Sequence, residues 1–206
     1  DIDTILGLGV VPASITVSDT AANIATDLAL GASSDLLTNL ADITAISNSN
    51  AGAITLTSAQ VLAAGVNDGA GSALSKVTGG SLIVTGVAVA DIETILALDV
   101  SPASITISDT AANIQADLVL GGASEILAAL GTITSVVVGD AGVVSLTLAQ
   151  MQVAGVNDGA GSAAALLSGG SLRVTGITVA EIDTVLAFPE VPDSATVSDT
   201  AANIAS

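Results

Sequence analysis

The sequence contains no cysteine and no histidine. Disulfides, thiol nucleophiles, thiolate zinc sites and the commonest general base are removed together. Tryptophan and tyrosine are missing as well, and Phe188 is the one phenylalanine. Aromatic anchors and base-stacking platforms are therefore excluded. Positive charge is nearly absent: Lys76 and Arg173 stand against twenty acidic residues, for a net charge of −18. Such a chain repels nucleic-acid phosphates and anionic membrane surfaces, and nucleic acid is excluded as a partner. The charge-free stretches, such as residues 141–157, are interrupted by Gly, Ser, Thr, Asn and Gln. That composition is poor for a helix in lipid, so no membrane insertion is expected. No basic segment followed by an apolar run is present, and a signal peptide is read as absent or already removed.

What remains is half hydrophobic. The core must be built from Ala, Val, Ile and Leu, and 206 residues are enough to bury one. The organising feature is the heptapeptide Ser-Asp-Thr-Ala-Ala-Asn-Ile, at residues 18–24, 108–114 and 198–204, a spacing of 90. Residues 1–90 align with 91–180 without a gap and with more than half the positions identical, and 181–206 begin the unit again. The expected organisation is one unit at 1–90, a second at 91–180 and a partial third at 181–206. The pattern is open at both ends and lacks the polar caps of a free-standing solenoid, so it reads as part of a longer periodic protein.

Within a unit, Ile2, Ile5 and Leu6 fall at helical spacing behind Asp1 and Asp3, whose charges suit a helix N-terminus. Ile92, Ile95 and Leu96 repeat this, as does the run at 181–186, and Pro12, Pro102, Pro189 and Pro192 close the connections. Residues 14–17 alternate as a short half-buried strand. Ser18, Asp19 and Thr20 are competent N-caps, and Ala21, Ile24, Ala25 and Leu28 then form an apolar helical stripe. Leu36, Leu37 and Leu40 predict another short helix, matched by Ile126, Leu127 and Leu130. Residues 43–47 and 53–56 read as strands joined by the turn-forming Asn-Ser-Asn-Ala-Gly at 48–52. Thr57 with Gln60, and Thr147 with Gln150, have capping-box spacing and predict a helix running to Gly65. The loop 65–72, identical at 155–162, interrupts it, and 82–84 supply one more strand.

Strands alternating with helices predict parallel pairing through right-handed crossovers. The expected fold is an α/β repeat protein: a β/α solenoid-like array of short parallel strands and Ala-rich helices with a 90-residue period. A sheet on one side, helices on the other and small aliphatics between them would form its core. A string of separate compact α/β domains is the alternative.

The carboxylates recur in columns: Asp1, Asp91 and Glu181; Asp3, Glu93 and Asp183; Asp19, Asp109 and Asp199; Asp27 and Asp117; Asp35 and Glu125; Asp68 and Asp158. Stacked carboxylates offer the oxygen ligands Ca²⁺ requires, which makes Asp19, Asp109, Asp68 and Asp158 the candidate metal ligands. Helix caps and first-turn charges account for most of the same residues, and neither an EF-hand loop nor a calcium nonapeptide occurs. The Asn-Asp-Gly-Ala-Gly-Ser run at 67–72 lacks the lysine and the spacing of a phosphate loop. Asn23, Asn113 and Asn203 fit a cap network better than catalysis. Nothing sets two carboxylates apart as an acid/base pair, and Ca²⁺ is the only cofactor suggested.

The Val-Ser-Asp-Thr-Ala-Ala-Asn-Ile run with its Ala/Leu helix, the Ile-Thr-x-Ile strand and the Leu-Thr-x-Ala-Gln box together resemble repeats of very large secreted bacterial surface proteins. These include giant adhesins, S-layer-like proteins and proteins exported by type I secretion. The resemblance covers the whole chain and implies an extracellular, cell-surface location. It implies self-association into a homopolymer or lattice, with divalent cations or surface glycans as further partners. The expected function is a non-enzymatic extracellular structural protein whose repeats self-assemble into a filament, sheath or surface layer. Stalk or spacer repeats of a large adhesin are the alternative. A polysaccharide lyase or glycosidase on a solenoid would need sugar-stacking aromatics that the chain lacks.

Overall fold

The computed structural model describes residues 14–205. The helix expected over the first eight residues, with Asp1, Asp3 and Pro12, lies outside them. In chain order the elements are β1 (Ile15–Asp19), α1 (Ala21–Leu28), α2 (Asp35–Thr38), β2 (Ile43–Asn48), β3 (Ala53–Thr57), α3 (Ser58–Val61), β4 (Val77–Thr78), β5 (Ser81–Val87) and α4 (Ile92–Leu96). There follow β6 (Ser104–Asp109), α5 (Ala111–Leu118), α6 (Glu125–Ala128), β7 (Ile133–Val138), β8 (Val143–Thr147), α7 (Leu148–Met151), α8 (Ala163–Leu166), β9 (Leu167–Ser168), β10 (Ser171–Ile177), α9 (Ile182–Leu186), β11 (Ser194–Val197) and α10 (Ala201–Ile204). The fold is α/β, with parallel sheets and short helices.

The described residues divide into two compact units, 14–85 with 94–104, and 86–93 with 105–205. In the first, β1, β2 and β4 form one parallel sheet, and β3 pairs in parallel with β5. In the second, β6, β7 and β9 pair in parallel, and β8, β10 and β11 form another parallel set. Each unit therefore has two strand layers where the sequence led us to expect a single sheet faced by helices. The reason is the length of the turn after β2. A parallel crossover needs a dozen or more residues, and only residues 49–52 separate β2 from β3. The chain turns a corner instead, and β3 starts a second layer.

Local chemistry fixes these elements. Ile15, Ile43, Ile46, Ile54 and Leu56 are buried, on strands whose alternate residues are polar or small. Opposite Ile15 the register slips by one residue, and Thr44 occupies the extra place, its hydroxyl donating to the Ile15 carbonyl at 3.0 Å. Thr134 does the same to Ile105 at 3.3 Å. On α1 the stripe Ala21, Ile24 and Leu28 is buried and packs on β3. Both capping boxes form, with Thr57 and Gln60, and Thr147 and Gln150, bonding each other's backbone amides. The helix they start is shorter than expected and ends at Val61. Gly65 has φ +81 and donates its N–H to the Asp68 carboxylate at 2.8 Å, while its carbonyl takes the Ala73 N–H at 2.7 Å. The loop folds back on itself, and no further helical turn can form.

The corners demand glycine. At Gly80, φ is +81, and a Cβ would collide with the Gly52 carbonyl oxygen and the Asn48 amide nitrogen. Among the described residues no helix is long and apolar enough to cross a membrane.

Candidate functional site

The recurring heptapeptide is where strand passes into helix, and its polar residues act as one brace. Thr20 caps α1, its hydroxyl accepting the Asn23 N–H at 3.3 Å. One Asp19 oxygen, Oδ1, accepts the Thr20 N–H at 2.8 Å and the Asn23 side-chain amide at 2.6 Å. Asp109 repeats both bonds at 2.8 and 2.7 Å, and Asp199 repeats both at 2.7 Å. The asparagines thus belong to a cap network, as their position suggested.

The second carboxylate oxygen reaches further. Oδ2 of Asp109 accepts the Val89 N–H at 2.9 Å, and Oδ2 of Asp199 accepts the Val179 N–H at 3.0 Å. Partial burial pushes the Asp109 carboxyl up, but its bonds from Val89, Asn113 and Thr110 outweigh this and hold it below the usual range. Asp199 is lowered chiefly by the Val179 N–H, then by Asn113's counterpart Asn203 and by Thr200.

The turn after β2 also serves the helix. Oδ1 of Asn50 accepts the Ala21 N–H at 3.1 Å, and Oδ1 of Asp140 accepts the Ala111 N–H at 3.0 Å. Asp140 is lowered by the Ala111 amide first and the Gly142 amide second. Asn and Asp present the same oxygen here, which explains how the two residue types alternate at one position.

Asp27 and Asp117 differ from the cap and surface positions their column suggests. They instead brace a helix further along the chain. Asp117 is buried, takes the Ser124 hydroxyl, and accepts the Glu125 and Ile126 amides at 2.9 and 3.2 Å. Asp27 does the same for Ser34, Asp35 and Leu36. The legible signal was a serine seven residues after each aspartate. Asn67 and Asn157 sit in the equivalent loops 65–72 and 155–162. Asn67 clamps Val100 through both backbone groups at 2.9 Å, and Asn157 clamps Glu190 at 2.7 and 3.0 Å.

The four calcium candidates stand in two settings. Asp19 and Asp109 each lie at a strand-to-helix joint, Asp19 bonded there through Oδ1 and Asp109 through both oxygens. Asp68 and Asp158 lie in exposed loops, each bonding the glycine amide three residues earlier at 2.8 Å. The structure does not bring the joint pair and the loop pair together into one site. Among the described residues no three acidic, histidine or cysteine side chains gather as a metal cluster.

Two grooves follow the helix faces. One of about 330 Å³ runs along β1, lined in part by Val17, Asp19, Asn23, Asp27 and Asp35. Another of about 310 Å³ is lined by Val89, Asp109, Asn113, Asp117 and Leu120. Their carboxylates accept N–H groups, and among the described residues neither lysine nor tyrosine lines them. The bonds these carboxylates make go chiefly to backbone amides. No protein-family model matches the chain, and no curated protein or solved structure matches it either.

Proposed function

We propose that the chain is a segment of an extracellular, non-enzymatic structural protein, a β/α solenoid-like array whose 90-residue sequence units add to one another and assemble into a filament, sheath or surface layer. The observation that carries this reading is the pairing of β10 with β11. β10 closes the second sequence unit and β11 opens the third, and the two pair in parallel within one sheet that also holds β8. One unit therefore joins the next through backbone hydrogen bonds, reinforced where Asp199 takes the Val179 N–H. Backbone joints of this kind need no particular side-chain chemistry, which suits a chain poor in catalytic residue types.

The large acidic excess makes assembly sensitive to ionic strength and divalent cations, because like charges brought together must be screened. Electron microscopy of the purified protein, with added Ca²⁺ and with EDTA, tests the reading. Filaments or sheets are the expected result in at least one condition. Dispersed monomers in all of them would count against assembly and favour a spacer role.

A further inference from the structure

We propose that a groove beside β5, in the first compact unit, binds a short aliphatic monocarboxylate whose headgroup accepts the Leu82 N–H. The site is separate from the carboxylate braces and does not depend on assembly.

The inference starts from a difference between two places ninety residues apart. On β10, the Leu172 N–H is accepted by Oδ2 of Asp193 at 2.8 Å. Leu82 holds the same position on β5, and Ala103 is the counterpart of Asp193. The Leu82 carbonyl accepts the Ala103 N–H at 2.8 Å. The N–H and C=O of one strand residue point to the same side, so the Leu82 N–H faces away from β3 and toward the segment at 101–103. Among the described residues nothing accepts it. Leu82 is 5% exposed, and a buried backbone donor without an acceptor is rare in folded proteins.

The same residues border an open space. Leu82, Ser101 and Ala103, together with Leu74, Val77 and Val100, line a groove of about 310 Å³. That is the lower end of the range of small-molecule sites, about 300–1,000 Å³. Its walls are chiefly aliphatic and suit an alkyl chain. Ser101, whose counterpart is Val191, brings a hydroxyl held otherwise by a long 3.5 Å bond to the Leu98 carbonyl. Compared with the second unit, the first lacks the internal carboxylate and has a second donor in the same groove. A carboxylate from outside satisfies both, one oxygen on the Leu82 N–H and the other on the Ser101 hydroxyl.

The charge of the chain narrows the ligand further. Among the described residues none that line the groove is charged, while Asp99 adjoins Val100 in the chain and the net charge is −18. A phosphate or dicarboxylate meets more repulsion than a monocarboxylate, and binding strengthens with salt.

Sodium butyrate is the probe, titrated into the ¹⁵N-labelled protein at constant raised ionic strength, with sodium chloride making up the balance. The Leu82 amide proton is expected to move downfield and saturate, while the Leu172 amide, already bonded to Asp193, stays in place. n-Butanol, which has the chain without the carboxylate, leaves Leu82 unmoved. A Leu82 resonance indifferent to butyrate, or moved as far by n-butanol, overturns the proposal. Ala103→Asp copies the second unit and supplies the carboxylate internally. It is expected to shift Leu82 downfield without ligand and to weaken butyrate binding at least about tenfold. Ser101→Val, which also copies the second unit, weakens it several-fold. Butyrate affinity unchanged in these variants overturns the proposal.

Discussion

Replacing Asp117 by alanine tests whether buried carboxylate braces hold these short helices in place. Asp117 is 5% exposed and accepts three bonds, from the Ser124 hydroxyl and the Glu125 and Ile126 amides. A hydrogen bond to a charged group contributes about 1.5–3 kcal/mol, but three bonds sharing one carboxylate do not add, and removing the carboxylate also relieves its desolvation. The net cost is about 3 kcal/mol. With a urea slope of about 2 kcal/mol per molar, the unfolding midpoint falls by about 1.5 M. Without tryptophan or tyrosine, far-UV circular dichroism is the appropriate readout. Asp27→Ala supplies the internal comparison. It removes the same three bonds from a less buried position, so the cost falls to about 1–2 kcal/mol through stronger solvent screening. A loss below about 0.5 kcal/mol for Asp117→Ala, or a larger loss at Asp27, would refute the reasoning, because the first is what an ordinary surface change produces.

Gly80→Ala places a methyl against the Gly52 carbonyl in a left-handed backbone, and it lowers stability by at least about 2–3 kcal/mol in the same melt; Gly86→Ala, with φ +68 but open space around it, costs about 1–2 kcal/mol. Lys76 donates to the Leu40 and Ile43 carbonyls at 2.6 Å each, yet Leu166 fills its counterpart position, so Lys76→Leu costs under about 1 kcal/mol while Lys76→Ala costs more through lost packing. Asp109 and Asp199 titrate below the ordinary carboxylate range in the folded protein, held there by the N–H groups they accept. Their stabilisation is complete above the unfolded value and is lost as pH falls through the folded one. Asp109→Asn therefore flattens the decline of the urea midpoint below about pH 4, and an unchanged pH profile would count against the Val89 brace.

Much of this was legible in the chain. Thr57 with Gln60 announced a capping box, the Ile15 to Val17 alternation announced a strand, and Ser-Asp-Thr announced a helix start, because each signal and its partner lie within a few residues. What stayed hidden depends on distance or context. β4 and β9 are two residues long, too short for any periodicity, and exist because β2 and β7 present edges to them. The split into two layers followed from the shortness of the turn at 49–52, a signal present in the sequence but outweighed by the alternation of strands and helices. The reach of Asp109 to Val89 spans twenty residues, and no local pattern marks it. Asp117 likewise accepts amides eight and nine residues further on, beyond the reach of any capping-box spacing.

The brace at the strand-to-helix joint has a consequence for how such a chain can change over generations. From Asp19 to Asn23 every bond of the brace is internal to one short stretch, so a duplicated stretch of gene carries a working joint to wherever it lands. The bond from Val89 to Asp109 does not travel so freely. A recombination event that cuts between those two positions separates donor from acceptor, whereas one that removes or inserts a whole period returns an equivalent valine to an equivalent aspartate. Ninety residues is the interval at which this donor and acceptor recur together, as Val179 and Asp199.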